Sequence, residues 1–223
     1  MNPKMQPSQY LPTPPALPEA QAPTPLAEAV SLALTQQNDI DGLTFAADTL
    51  REVTGGTLEF SGCRFSHCTF ADLQFKRISF VDCLFDHCDW SALHLANATF
   101  QHVKWVDSRL TGCEFQNAAL MNVLLSGCTA DYLALMDVKL TRVSVHQCRL
   151  RESLWRSVRH KDVAFAHCDL TAAQIRSMPM LGMDMTTCTL DGLQIDPQDL
   201  RGMRVTPLQG LMFCRLLGIE IAE

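Results

Sequence analysis

The chain has 223 residues, of which 47% are hydrophobic and 19% charged, and its formal net charge is −6 at pH 7. This much apolar surface can build one sizeable core, which excludes a chain that is disordered overall. The sequence has no apolar run long enough to span a bilayer, and Met1 is not followed by the apolar segment of an export signal. We therefore expect a cytoplasmic protein whose ten cysteines are reduced.

Prolines concentrate at the N-terminus, where eight of the eleven fall within the first 25 residues. This composition favours an extended, polyproline-like chain without a core of its own, and it predicts a disordered arm over residues 1–24. The following segment, LAEAVSLALTQQN, predicts a short amphipathic helix with Thr24 as its cap and Pro25 at its first position. We expect this helix, within residues 25–40, to cover one end of the fold.

A five-residue period runs through residues 41–205 without insertion or deletion. Every fifth residue from Phe60 to Val205 is apolar with few exceptions, and a second, smaller apolar residue lies two positions before each of them. Two inward side chains in five residues predict one side of a square coil, so that four units make a turn of 20 residues. Stacked coils would pair as parallel strands about 4.8 Å apart, in the manner of a solenoid.

The cysteines support the 20-residue coil independently of the five-residue period. Nine of the ten occupy the inward position two residues before a unit's centre. Six of them recur on one side of the predicted coil, and Ser108 fills the remaining step of this inward cysteine column: Cys68, Cys88, Cys128, Cys148, Cys168 and Cys188. Parallel stacked Cβ vectors make a disulfide hard to form, so we interpret the column as small thiols that pack the core.

The repeat resembles the consensus of the pentapeptide-repeat family in units such as SGCRF, SHCTF, ADLQF, ANATF and AHCDL. The resemblance covers residues 41–205. It implies an all-β fold, a right-handed quadrilateral β-helix, here with helical caps at both ends. It also implies a non-enzymatic protein that binds a macromolecule, and the family's quinolone-resistance members imply DNA gyrase or another topoisomerase as a partner.

The period changes in residues 206–223, which predict a C-terminal cap. Thr206 and Gln209 form a capping box, Pro207 suits the first helical position, and Gly218 is placed to end the helix. The module resembles the C-terminal dimer cap of quinolone-resistance pentapeptide proteins. We expect a homodimer whose contact uses the surplus apolar residues of this segment: Leu208, Leu211, Met212, Leu216, Ile219 and Ile221.

Catalytic, cofactor and metal signatures are absent from the sequence, so we expect no enzyme, no cofactor and no metal site. His67 and His87 are predicted to lie one coil apart on the outer surface as a solvated pair. His160 falls on an inward centre position, where it is expected either to bond the backbone or to turn outward. Ala130 is a second irregular centre, which would either leave a small void or be filled by a bulky neighbour such as Trp90.

The surface charge of the predicted rod does not identify the binding partner. Residues 61–205 carry 15 acidic and 15 basic residues, and this neutral rod argues against simple imitation of DNA. We favour a protein partner bound to one flat face and expect no direct binding of nucleic acid. The alternatives are topoisomerase protection and a secreted-effector or envelope-associated role. The candidate contact is a basic band across two coils: Lys139, Arg142, Arg149, Arg151, Arg156, Arg159 and Lys161.

Overall fold

The protein is a stack of about eight coils closed by a helix at each end. The computed structural model describes residues 12–216 and 218–220, without the side chains of residues 215 and 216. Each strand pairs in parallel with the strand 20 residues later, as in Ile40 with Phe60 and Phe100 with Leu120. The predicted 20-residue coil and the right-handed quadrilateral β-helix are confirmed.

The helices are α1 (Leu26–Gln36) and α2 (Pro207–Leu216), and between them lies a succession of short strands. In chain order the strands are β1 (Ile40–Asp41), β2 (Thr44–Ala46), β3 (Thr49–Arg51), β4 (Thr54–Ser61), β5 (Arg64–Ser66), β6 (Thr69–Ala71), β7 (Gln74–Val81), β8 (Leu84–Asp86), β9 (His94–Ala96), β10 (Thr99–Val106), β11 (Glu114–Gln116), β12 (Ala119–Ser126), β13 (Ala134–Met136), β14 (Lys139–His146), β15 (Leu154–Arg156), β16 (Arg159–Ala166), β17 (Gln174–Arg176) and β18 (Gln194–Ile195).

The rod has four sides, each centred on every twentieth residue. We number them by their first centres: side 1 from Phe45, side 2 from Leu50, side 3 from Gly55 and side 4 from Phe60. Side 4 is thus opposite side 2. Strands β10, β12, β14 and β16 run along side 4 and round the corner into side 1, and this makes side 4 of the later coils a continuous sheet.

The core is aromatic in the first coils and aliphatic in the later ones. Phenylalanines of successive coils stack, with ring centroids 5.1 Å apart for Phe60 and Phe80 and 4.7 Å apart for Phe65 and Phe85. Ala130, among the aliphatic centres, is fully buried. A cavity of about 20 Å³ lies between Trp105 and Val163, lined by residues such as Leu120 and Leu140 and not by Ala130, and because its lining is entirely apolar it can remain dry.

Left-handed backbone at the corners lets the chain turn after each unit. Residues two positions after a unit's centre take positive φ through most of the rod, for example 57° at Asn97 and 45° at Asp107. Asn, Asp, His and Gly fill many of these positions, since they tolerate this conformation at least cost. The corner residues therefore favour the same coil as the inward residues.

Helix α1 covers the first coil, but its cap differs from the predicted one. Pro25 occupies the cap position and no side chain of the preceding segment caps the helix, so the prediction for Thr24 is wrong. The carboxylate of Asp48 instead accepts a hydrogen bond from the Leu26 N–H at 2.6 Å. Asp48 stands one coil before Cys68, at the first position of the cysteine column, and this places its carboxylate beside the helix N-terminus.

Helix α2 is bonded to the last coil through the predicted capping box. The Thr206 N–H donates to Gln209 Oε1 at 2.8 Å, and the Gln209 N–H donates to Thr206 Oγ1 at 3.2 Å. Gln209 Nε2 also donates to the carbonyls of Met185 and Cys188, at 3.0 and 2.7 Å. Gly218 has a φ of 73° just after the helix, as expected of a residue that ends it.

The proline-rich arm is described from residue 12, and residues 12–24 lie extended along the rod without helix or strand. The Thr24 N–H donates to the Thr44 carbonyl at 2.8 Å, and further along the arm Ala16 contacts Asp82. The predicted disorder of residues 1–24 concerns solution behaviour and stays a prediction. Its part over residues 1–11 lies outside the described residues.

Candidate binding face

The predicted basic band does not lie on one face of the rod. All seven side chains are exposed, but they are distributed over three sides. Arg149 and Arg151 flank a centre of side 2, and Arg156 lies on side 3, where its Nη2 approaches Met136 Sδ at 3.4 Å. The remaining four lie on side 4 or at its corner with side 1: Lys139, Arg142, Arg159 and Lys161.

Aspartates of the neighbouring coils pair with the arginines of side 2. Arg149 Nε lies 2.7 Å from Asp131 Oδ2, and Arg151 Nε lies 2.6 Å from Asp169 Oδ2. Partial burial would raise the pKa of Asp169, but hydrogen bonds from Thr171 and Arg151 lower it below its ordinary value. The two band arginines on side 2 are therefore neutralised by their partners and offer little attraction to an acidic protein.

The sequence analysis did not predict these pairs, since Asp131 and Asp169 lie outside the band's own range of residues 139–161. The available signal was a separation of 18 residues, which in a 20-residue coil places two outward side chains on adjacent rungs of the same side. The Arg176–Asp196 and Arg204–Asp184 pairs follow the related 20-residue separation.

The side 4 cluster, defined as Lys139, Arg142, Arg159 and Lys161, has no ion pair to any described residue. Lys139 and Arg159 are direct register partners on β14 and β16, and Thr141 pairs with Lys161 in the same ladder. Like charges on neighbouring strands repel, by roughly 0.5–1 kcal/mol at this spacing in water. A fold gains nothing from this arrangement, whereas an acidic ligand would be attracted to it.

Arg142 is the best-oriented member of the side 4 cluster. Its Nε donates to Oδ1 of the buried Asn122 at 2.6 Å, one coil below. This hydrogen bond holds the guanidinium at the corner without neutralising its charge. The cluster thus combines one positioned arginine with three exposed cations on a flat sheet.

The cysteine column points into the rod and is remote from any surface site. All six of its cysteines are buried and unoxidised, and most Sγ atoms lie within hydrogen-bond distance of backbone carbonyls, as Cys88 does with Phe65 O at 3.4 Å. Thiols in adjacent coils also interact. A hydrogen bond with Cys88 lowers the pKa of Cys68, and one with Cys168 lowers that of Cys188 to about 7.

The outward histidines lie where the repeat places them. The rings of His67 and His87 are 5.0 Å apart and tilted by 31°, and His87 Nδ1 lies 2.9 Å from Asp86 Oδ1. His160 is half-exposed, and its Nε2 bonds the Pro179 carbonyl at 2.5 Å. Within residues 12–216 and 218–220, no three His, Cys, Asp or Glu side chains gather closely enough to hold a metal ion.

The predicted dimer contact is partly described. Leu208, Leu211 and Ile219 are exposed by 75%, 47% and 51%, and Met212 is half-buried. The Leu216 side chain and Ile221 lie outside the described residues. The described part of α2 therefore presents apolar surface beyond what covers the last coil, and the homodimer stays a prediction.

The coil, its register and its four flat sides define a solenoid of the β-helix class. Residues 58–135 match the family model for a pentapeptide repeat region. The predicted resemblance to the pentapeptide-repeat family is confirmed, and over that stretch the chain is a pentapeptide repeat. No curated protein sequence matches the chain. No helix among the described residues is long and apolar enough to cross a membrane.

Solved structures with a similar backbone fold include three pentapeptide-repeat proteins. A trypsin-treated variant of QnrB1, a plasmid-mediated fluoroquinolone resistance protein, is 18% identical over 83% of this chain and 92% of that chain, with a TM-score of 0.38. HetL of Nostoc sp. strain PCC 7120, involved in heterocyst differentiation regulation, is 13% identical over 75% and 84%, with a TM-score of 0.24. Rfr23 of Cyanothece 51142 is 11% identical over 81% and 99%, with a TM-score of 0.27. Sequence identities and TM-scores this low support no inference about a binding site or a partner.

Proposed function

We propose that the protein is a non-enzymatic scaffold that binds an acidic protein surface through side 4 of its rod. The observation that carries this proposal is the side 4 cluster, because four exposed cations lie together there and none of them forms an ion pair with a described residue, Asp162 beside Lys161 included. On side 2, by contrast, aspartates pair with both band arginines. Four cations without ion pairs on two adjacent coils of one flat side favour a partner that supplies the opposite charge.

The mechanism is electrostatic docking on a rigid surface. The sheet of β10, β12, β14 and β16 holds the cations in a fixed ladder, so little conformational entropy is lost when a complementary surface binds. Exposed charges mainly raise the association rate and set the orientation of the complex. Binding should therefore weaken steeply with salt.

A matched pair of triple variants tests this proposal. The first carries Lys139→Gln, Arg159→Gln and Lys161→Gln, and the control carries Arg51→Gln, Lys76→Gln and Arg77→Gln, which remove the same charge from exposed positions on side 2, on side 3 and at the corner of sides 3 and 4. A fluorescent polyglutamate peptide and a DNA duplex serve as acidic probes, with affinity measured by anisotropy at 50 and 200 mM salt.

We expect the side 4 triple variant to bind polyglutamate at least about tenfold more weakly at 50 mM salt, and the control to change less than about twofold. Equal losses in the two variants would reject side 4 as the binding face. If the wild-type protein binds the duplex more tightly than the peptide, and the side 4 triple variant loses this binding, then the partner is a nucleic acid and the proposed protein partner is wrong.

Gyrase binding and an effector or envelope-associated role remain the alternative hypotheses. A supercoiling assay with and without a quinolone tests the first: inhibition or protection at micromolar protein would support it, and the absence of both would reject it. Capture experiments that compare the complete chain with a chain carrying an altered arm over residues 12–24 bear on the second.

A further inference from the structure

Two stacked glycines make a notch at the corner between sides 4 and 1. Gly42 and Gly62 occupy the same corner position of successive coils, with φ of 68° and 61°, and the next coil places Asp82 there. The missing side chains leave a shallow groove that Asp82 closes. Together with Arg64 on the adjoining edge of side 1, these residues form what we call the proline notch: Gly42, Gly62, Arg64 and Asp82.

The arm of the same chain lies in the proline notch. The Pro18 ring covers both glycines, since a Cβ added at Gly62 would lie 3.3 Å from Pro18 Cδ, and one at Gly42 would lie 3.6 Å from Pro18 Cγ. Gly62 is buried as a result, although it stands at an outer corner. A side chain at Gly62 would compete with Pro18 for this space.

Polar groups on both sides of the notch bind the arm's backbone. The Ala16 N–H donates to Asp82 Oδ1 at 2.9 Å, and Arg64 Nη2 donates to the Pro18 carbonyl at 2.9 Å. Arg64 Nε is buried beside the arm without a described partner. One acceptor and one donor thus bind backbone groups two residues apart, which fixes the position of the segment along the corner.

The arm's sequence suits this surface. Pro12 and Pro15 are half-buried, and their spacing of three residues is one turn of a polyproline II helix. Such a helix has no internal hydrogen bonds and a fully available backbone, so it loses little entropy on binding and offers carbonyls to an arginine. The contacts made by the notch are those that a proline-rich segment can satisfy.

We propose that the proline notch is a recognition site for a proline-rich, extended segment, and that residues 12–18 occupy it as a removable strap. The occupant belongs to this chain in the structure described. Because the strap is tethered, its release would open the notch to a proline-rich segment of another chain. This assignment is independent of side 4 and of the function proposed for it.

Amide exchange in the full-length protein, followed by NMR, tests the docked strap. The Ala16 amide should exchange at least about tenfold more slowly than in a free peptide of residues 12–24. Asp82→Ala should abolish this protection, whereas Asp162→Ala should not, since Asp162 has the same left-handed conformation at the same corner four coils away. Ala16 exchange at the free-peptide rate in the wild-type chain would overturn the proposal.

A pair of glycine substitutions separates strap contact from backbone strain. Gly62→Asn places a side chain against Pro18, while Gly112→Asn changes a corner glycine with φ of 65° that only Ala92 approaches. Asn tolerates left-handed backbone in both cases. Loss of Ala16 protection in the first variant alone is the expected result, and equal protection in both variants would place the strap outside the notch.

Recognition in trans needs an accessible notch in the complete chain. Changing Pro12→Ser, Pro15→Ser and Pro18→Ser should free it, and a labelled peptide of residues 12–24 should then bind at least about tenfold more tightly than it binds wild type. Adding Asp82→Ala should remove this gain. If the peptide binds both chains equally weakly while Ala16 stays protected in wild type, the strap is held by its tether and the notch is not a recognition site.

Discussion

The C-terminal cap depends on one buried side chain, and substitution of Gln209 tests this dependence. Its Nε2 donates to the Met185 and Cys188 carbonyls, and its Oε1 accepts from the Thr206 N–H. Gln209→Ala leaves the Cys188 carbonyl without a donor, at about 1–3 kcal/mol, whereas the Met185 carbonyl keeps the Cys188 N–H; it also removes half of the capping box, at about 1 kcal/mol. We expect a loss of about 2–4 kcal/mol in the free energy of unfolding, a large part of the stability of an ordinary domain.

Urea denaturation followed by circular dichroism measures this loss, with Gln194→Ala on an exposed strand position as the control. Gln209→Glu keeps the acceptor for Thr206 but turns a carboxylate oxygen toward two carbonyls, so at neutral pH it should destabilise at least as much as alanine. Because a solenoid frays from its ends, amide exchange should accelerate first in the last coil. A difference below about 0.5 kcal/mol between the alanine variant and its control would refute the reasoning.

Three further predictions concern the core, the cysteine column and the C-terminus. Phe85 is fully buried and packs on Trp90 and other rings, so Phe85→Ala should cost about 3–5 kcal/mol in urea denaturation; a loss below about 1 kcal/mol would contradict this packing. The pKa of Cys188 is lowered from 9.0 to about 7, so its stabilising contribution is complete above about pH 9 and is lost as the pH falls through 7. In reducing buffer, Cys188→Ser should therefore flatten the rise in unfolding free energy between pH 7 and 9, and an unchanged rise would disprove the assignment. Leu208→Ser with Leu211→Ser should convert a dimer to a monomer in sedimentation experiments, while Leu32→Ser, exposed at the opposite end, should not; a monomeric wild type would reject the dimer.

The architecture could be predicted because the repeat is local and translational. Each five-residue unit contains its two inward residues and its corner residue, and the next coil repeats them 20 residues later. Burial of Cys68 and Cys188 follows from position in the unit alone, as does the stacking of Phe60 on Phe80. The capping box of Thr206 and Gln209 was predictable for the same reason, since its partners lie three residues apart.

The charged surface and the N-terminal contacts were decided by the tertiary structure. Which aspartate pairs with Arg149 depends on the side chains that lie one coil away. Whether the cations of the side 4 cluster find an acidic partner likewise depends on the residues of neighbouring coils. Asp48 replaced Thr24 at the helix because folding of the first coil brought its carboxylate to Leu26. No repeat links Ala16 to Asp82, 66 residues apart, so the strap has no counterpart in the period.

The sequence by itself thus determined the coil, its register and its inward column, because a periodic pattern satisfies the same burial requirement in every turn. It did not by itself determine which of the charges that lie 18 or 20 residues apart form ion pairs, or where the arm lies. Those features depend on side chains from different coils meeting at distances of a few ångströms, and only the folded rod brings them together.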